Sequence, residues 1–158
     1  TENPSYKELT HRRSVFFVDN SYFVIVDEAI GNAIGNVNLH YQLCDGKVDL
    51  DKSKGQLSTR YPGDSNVQLR CFGPDKMQMI EEEGWYSIAY RKRTQRPAIA
   101  FNIEKTTDET VRYITVIYPQ KQVKKSTKIS ASIKNATDNK LEVEVSVNGR
   151  KQTLGYEF

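Results

Sequence analysis

Apolar and polar residues alternate with a period of two along most of the chain. Over 36–43, Val37, Leu39, Tyr41 and Leu43 take one parity while Asn38, His40 and Gln42 take the other, the pattern of a half-buried strand. Val67, Leu69 and Cys71 alternate with Gln68, Arg70 and Phe72, and Leu141, Val143, Val145 and Val147 alternate with Glu142, Glu144 and Ser146. Two Val- and Phe-rich runs, 14–18 and 22–26, are joined by Asp19-Asn20-Ser21. So short a polar link predicts a β-hairpin. Asn148-Gly149 predicts another, leading into a last strand over 152–158.

Further strands are predicted over 56–61 (weakly), 77–80, 85–90, 98–103, 111–118 and 128–133. Asp45-Gly46, Gly73-Pro74, Pro97 and Pro119 read as punctuation between them. The Asp-, Lys- and Gly-rich segment 45–55 is predicted to be a long loop, and 106–109 and 135–139 shorter ones. The basic connection 121–125 is a candidate subdivision point. Helical periodicity is nearly absent, and Glu81-Glu82-Glu83 reads as surface decoration. Roughly twelve short strands at intervals of about 8–12 residues give an all-β antiparallel sandwich or barrel. Residues 1–158 are read as one domain.

Composition supports a folded core and narrows the partners. With 37% hydrophobic and 27% charged residues, and one Trp, nine Tyr and six Phe, the chain is too polar for a membrane protein and too aromatic for a disordered one. No run approaches the ~18–20 apolar residues of a membrane-spanning helix. The net charge is only +3, so bulk electrostatics do not imply a nucleic-acid partner. The chain opens Thr-Glu-Asn-Pro-Ser, without an initiator Met or signal peptide, and is expected to be a processed or excised piece of something longer.

Few motifs suggest chemistry. Cys44 and Cys71 are the only cysteines. They read as buried free thiols, with a disulfide as the alternative. Asp49, Asp51 and Ser53 resemble the start of a calcium loop, but Lys54 and Arg60 stand where such a loop needs Gly and a bidentate Glu. A solvated loop is the expectation there. His11 and His40 lack obvious catalytic or metal partners and read as structural. No nucleophile elbow, phosphate-binding glycine loop or zinc-protease motif is present. Asn135-Ala136-Thr137 fits a glycosylation sequon. The densest charge cluster holds Arg91, Lys92, Arg93 and Arg96, just after Trp85, Tyr86 and Tyr90. Arg grips sulfate or carboxylate bidentately and aromatic rings stack on sugar faces. Arg91, Lys92, Arg93, Arg96, Trp85 and Tyr90 are therefore the candidate substrate-binding set. The competing reading is an exposed hairpin tip.

Six stretches, in order, resemble one family. They are Thr10-His11-Arg12-Arg13-Ser14-Val15-Phe16-Phe17-Val18-Asp19, Tyr22-Phe23-Val24-Ile25-Val26-Asp27-Glu28, Val37-Asn38-Leu39-His40-Tyr41-Gln42-Leu43, Gly84-Trp85-Tyr86-Ser87, Arg96-Pro97-Ala98-Ile99-Ala100-Phe101 and Thr115-Val116-Ile117-Tyr118-Pro119. Together they are similar to the C-terminal β-sandwich domain of the heparinase II/III family of bacterial polysaccharide lyases, nearest to its heparan-sulfate lyases. The resemblance spans roughly 10–119, and the strands from 120 onward are unassigned.

The resemblance implies a larger periplasmic or secreted enzyme. In it an N-terminal α/α toroid packs against a β-sandwich, and uronate-containing heparan sulfate or heparin is cleaved by β-elimination. A base would remove the uronate C5 proton and an acid would protonate the leaving glycosidic oxygen, while a neutralised carboxylate makes C5 acidic. In the family the catalytic Asn, Tyr and His, and the metal ligands, lie upstream of the His-Arg-Arg-Ser motif. No catalytic and no metal residue is therefore assigned in this chain, any divalent metal is expected upstream, and the chain alone is expected to be inactive. The alternatives are a stand-alone module gripping an acidic glycan, a purely structural sheet domain, or the same family acting on alginate or chondroitin.

Overall fold

The computed structural model describes residues 1–121 and 126–157. The basic segment singled out over 121–125 lies, apart from Lys121, outside the described residues. Thirteen strands are present among those described: β1 Glu2–Tyr6, β2 Leu9–Val18, β3 Tyr22–Ile30, β4 Gly35–Gln42, β5 Val48–Asp51, β6 Gln56–Thr59, β7 Asn66–Phe72, β8 Gln78–Ala89, β9 Lys92–Lys105, β10 Val111–Gln120, β11 Ile129–Ala136, β12 Lys140–Val147 and β13 Arg150–Glu157. The only helix among them is a 3-10 turn, Lys52–Lys54.

The strands form three antiparallel sheets. A seven-stranded sheet, ordered β1-β2-β3-β10-β7-β6-β5, is central. A three-stranded flank sheet, β4-β9-β8, covers part of one face, and the terminal sheet, β11-β12-β13, covers the other. The alternation of β3 and β10 explains the layering, because successive side chains of a strand point to opposite faces. Tyr22, Val24, Val26, Ile114 and Val116 join one core with Leu141, Val143 and Val145 of the terminal sheet. Ala29, Val111 and Tyr113, of the opposite parity, join a second core with Leu39, Ile99 and Phe101 of the flank sheet. The predicted antiparallel sandwich is correct, with its central sheet packed on both faces.

Several boundaries differ from expectation. Residues 2–6 form a strand, β1, that their polar sequence does not announce. The loop expected over 45–55 contains β5 and the 3-10 turn. There Asp51 accepts from the Lys54 backbone N–H at 3.2 Å, and Gly55 closes the turn at φ 58°. The separate strands expected at 77–80 and 85–90 are one strand, β8, running through Gly84. A Cβ on Gly84 would come within 2.7 Å of both Ala98 Cβ and the Arg96 carbonyl. Pro97 and Pro119 lie inside β9 and β10 rather than ending them. β4 pairs with β9 only as far as Gln42↔Ala98, and β3 pairs with β10 only as far as Phe23↔Ile117. Both prolines therefore fall at the end of one neighbouring ladder, and at Pro97 one bond of the next pair survives, the Leu43 N–H donating to the Pro97 carbonyl at 2.9 Å.

Polar groups clamp the terminal sheet to the centre. Glu28, 1% exposed, accepts from Arg112 Nε at 2.8 Å and from the Tyr156 hydroxyl at 2.5 Å. Arg12 Nη1 donates to that same hydroxyl at 2.8 Å and to the Asp138 carbonyl at 2.8 Å. Gln68, fully buried, accepts from the Thr127 N–H and donates to the Thr127 carbonyl, each at 2.8 Å. Arg70 Nη1 donates to the Ile129 carbonyl at 2.6 Å.

Candidate functional site

The cationic cluster occupies the β8–β9 hairpin. Ala89↔Lys92 is its last pair, and Tyr90 and Arg91 form the turn. Arg91 takes φ 61°, a left-handed conformation in which Gly or Asn is the usual occupant. The tip is exposed: Tyr90 is 87% and Ile88 77% accessible.

Register divides the predicted set between the two faces of the hairpin. Trp85 pairs with Gln95, so Trp85 and Arg93 share a face. The Arg93 guanidinium carbon lies 4.0 Å from the Trp85 ring centroid, and Trp85 Nε1 donates to Glu83 at 2.7 Å. Arg96 pairs with Gly84 and lies on the opposite face, where its guanidinium sits 5.9 Å from the Tyr86 ring and donates to Gln42. Arg91 packs 5.2 Å from the Tyr90 ring at the tip. The structure thus brings together Trp85 with Arg93 and Tyr90 with Arg91. It separates Arg96, whose partner Tyr86 was left out of the predicted set although it follows Trp85 directly; the period-two rule alone places it on the other face.

The electrostatics of the hairpin are graded along its length. Among the described residues, Arg91, Lys92, Arg93 and Arg96 form no ion pair with a carboxylate. A guanidinium placed over a ring, as Arg93 is over Trp85 and Arg91 over Tyr90, keeps N–H donors for an anion. The acidic triplet at the base is partly paired elsewhere: Glu81 with Lys52 at 2.7 Å and Glu82 with His40 at 2.8 Å. Positive charge therefore sits at the tip and negative charge toward the sandwich. This arrangement has the chemistry to grip an acidic chain.

The other singled-out residues are occupied locally. His11 Nε2 lies 2.6 Å from Asp27 Oδ1, to which Arg13 Nε also donates at 2.6 Å. Asp49 pairs with Arg60 at 2.5 Å. Asp51 accepts from Lys54 Nζ and Ser53 Oγ, each at 2.6 Å, and these bonds hold its carboxyl down at about 2. Among the described residues no three His, Cys, Asp or Glu side chains gather into a group that could hold a metal ion.

The two cysteines are free thiols, so no disulfide joins them. Cys71 is buried as expected, and burial pushes its thiol up to about 12. Cys44 is exposed, contrary to expectation, because it lies two residues beyond the end of β4.

Comparison with known proteins fits this architecture. Residues 1–132 match the family model described as "Heparinase II/III-like, C-terminal". A heparin-sulfate lyase of Bacteroides stercoris is 54% identical over 160 aligned residues, covering 100% of this chain and 24% of that protein. A heparin-sulfate lyase of Pedobacter heparinus is 35% identical, covering 96% of this chain and 24% of its own. A solved heparinase III gene product superposes with a TM-score of 0.96 at 52% identity, covering 99% of this chain and 25% of that one. The likeness thus runs past residue 119 into the terminal sheet, which the motifs alone left unassigned. The chain spans about a quarter of the length of these relatives. A match over most of its length to the family model, and near-complete structural superposition at 52% identity, make this chain a member of the heparinase II/III-like C-terminal family.

Proposed function

We propose that the chain is the C-terminal part of a lyase that cleaves heparin or heparan sulfate by β-elimination. The observation that carries this is the 54% identity, end to end, with the heparin-sulfate lyase of Bacteroides stercoris. In that reaction a base removes the uronate C5 proton, the C4–O glycosidic bond breaks, and an acid protonates the departing oxygen. The residues that do this belong to the remainder of the full-length protein, with an α/α toroid as the packing partner, as would any divalent metal. Nothing in the chemistry of the hairpin competes with that assignment.

The role proposed for this chain is support and grip. Arg91, Lys92 and Arg93 hold sulfate or carboxylate groups of the substrate, and the Trp85 and Tyr90 rings provide the apolar surface beside them. Each exposed cation contributes roughly 0.2–1 kcal/mol, so replacing all three by Gln weakens heparan sulfate binding by about 3- to 150-fold at low salt. The difference shrinks as salt approaches physiological strength.

The test is formation of unsaturated uronate product by the full-length protein on heparan sulfate, with alginate and chondroitin sulfate as competitors. Residues 1–158 alone release none. Turnover of alginate or chondroitin in preference to heparan sulfate would replace the substrate assignment. A triple variant that binds as tightly as the parent at low salt would remove the hairpin from the binding surface.

A further inference from the structure

The three consecutive glutamates at the base of the hairpin are not used alike. Glu81 pairs with Lys52 of the 3-10 turn at 2.7 Å, and Glu82 with His40 of β4 at 2.8 Å. Glu83 turns to its own strand: its Oε1 accepts from Trp85 Nε1 at 2.7 Å. Glu83 and Trp85 stand two residues apart on β8 and so share a face. The Trp85 indole is half-buried, and the guanidinium carbon of the exposed Arg93 lies 4.0 Å from its ring centroid. A carboxylate thus fixes a ring, and the ring seats a cation.

The backbone opposite Arg93 is irregular. β8 and β9 pair at Tyr86↔Thr94 and next at Ala89↔Lys92, so Ser87 and Ile88 stand against Arg93 alone. Such a bulge re-aims the side chains beside it and strengthens the local twist. Ser87 Oγ ties it down by donating to the Ala89 carbonyl at 2.8 Å. An arginine free on an exposed hairpin samples many rotamers, and gripping an anion freezes them at a cost in affinity. On Trp85, part of that ordering is in place before an anion arrives. The fork of N–H donors that remains suits an oxyanion offering two oxygens, as sulfate and carboxylate do.

We propose that Glu83 is a positioning residue for anion binding: through Trp85 it presets Arg93 for the sulfate or carboxylate groups of an acidic glycan. The inference rests on the hairpin being the gripping surface. Its consequence runs against simple electrostatics. A carboxylate beside an anion site repels the ligand, so removing it by any substitution would tighten binding by about 1.5- to 5-fold. Under the positioning role, the outcome depends on what replaces it. Glu83→Gln removes the charge but keeps a carbonyl oxygen where the indole N–H donates. Glu83→Ala removes both. The two variants share the electrostatic gain, and only the second loses the seat of Arg93. That seat is the ordering of one side chain, about 2- to 12-fold in affinity.

The test is heparan sulfate binding by the full-length protein at low salt, with KM and kcat measured alongside. Glu83→Ala is expected to bind about 2- to 12-fold more weakly than Glu83→Gln, the difference being carried by KM rather than kcat. In an Arg93→Gln background the two are expected to agree within about 1.5-fold, because the effect acts through that guanidinium. Equal affinities with Arg93 present would overturn the inference. So would a difference that persists without Arg93, since Glu83 would then act by another route. The hairpin reading is separated by replacing Arg91, Lys92 and Arg93 together by Gln. If that variant binds as tightly as the parent, the hairpin is not the grip and the inference falls with it. If it binds weakly while Glu83→Ala matches Glu83→Gln, the grip stands and only the role of Glu83 falls.

Discussion

Replacing Glu28 by Ala tests what holds the terminal sheet in place. The carboxylate is 1% exposed and accepts from Arg112 at 2.8 Å and Tyr156 at 2.5 Å. Arg12 Nη1 lies 3.9 Å from the same carboxylate. The arginines are themselves largely covered, with side chains 18% and 14% exposed. Removing the anion therefore takes from Arg112 its 2.8 Å acceptor and from the Tyr156 hydroxyl the acceptor of its proton, while Arg12 keeps Glu2 at 2.6 Å and the Asp138 carbonyl. Breaking a buried pair in this way costs about 3–5 kcal/mol. Tyr156→Phe deletes a single bond to the carboxylate and one acceptor for Arg12, and costs about 1–2 kcal/mol. The double variant should cost less than the two summed, by about 1 kcal/mol, because both changes act on one bond. Urea unfolding followed by far-ultraviolet circular dichroism reads this directly. With a slope near 2 kcal/mol/M, the midpoint for Glu28→Ala falls by about 1.5–2.5 M. A shift below about 0.3 M, or strict additivity in the cycle, would mean that apolar packing alone seats the terminal sheet.

Other consequences are as specific. Burial pushes the Cys71 thiol up to about 12 and raises the Tyr41 and Tyr113 phenols above their ordinary value. These acids ionise more readily unfolded, so their contribution is complete below about pH 9 and is lost as pH rises from there. The thermal midpoint should fall across that window, Cys44 should react with a disulfide reagent at once, and Cys71 only at the rate of unfolding. Equal reaction rates in folded protein would contradict this. Gly155→Ala would place a Cβ 2.1 Å from the Leu141 carbonyl on the neighbouring strand. It should lower stability by about 1–3 kcal/mol in the same urea assay, and an unchanged midpoint would show that β13 gives way freely. Gln68→Leu keeps the bulk but removes both bonds to the Thr127 backbone. Amide exchange at Thr127 should accelerate by about tenfold or more, with a cost near 1–3 kcal/mol; unaltered exchange would mean that the segment is held by other contacts.

What the sequence disclosed depended on whether one strand's own residues carried the signal. The β2–β3 hairpin, β4 and β12 were legible because each alternates against a single core. Asn148-Gly149 was legible because both residues adopt positive φ, 52° and 87°. β1 and β5 were not, since short polar edge strands are held by backbone pairing that leaves no apolar imprint. Pro97 and Pro119 looked like stops because their tolerance depends on where the neighbouring ladders end. The cationic hairpin was legible as composition, but its division into two faces needed the register of β8 against β9. The clamps at Glu28 and Gln68 span 128 and 59 positions in sequence, and nothing local marks their partners.

The position of β10 has a consequence for the order in which the chain can acquire its structure. This strand lies between β3 and β7 and is the only link between β1-β2-β3 and β7-β6-β5 in the central sheet. During synthesis the first group can pair as soon as it emerges, and the second can pair independently, but neither can join the other until residues 111–120 arrive. At about 5–20 residues per second, roughly 50 residues separate the end of the second group from the end of the strand that unites them, an interval of several seconds. During that time the facing edges of β3 and β7 are both open to the wrong neighbour. Slow translation or a holding chaperone over this interval would therefore influence yield more than either would once β10 has been made, and the local meander of β11, β12 and β13 would form last, on a platform already closed.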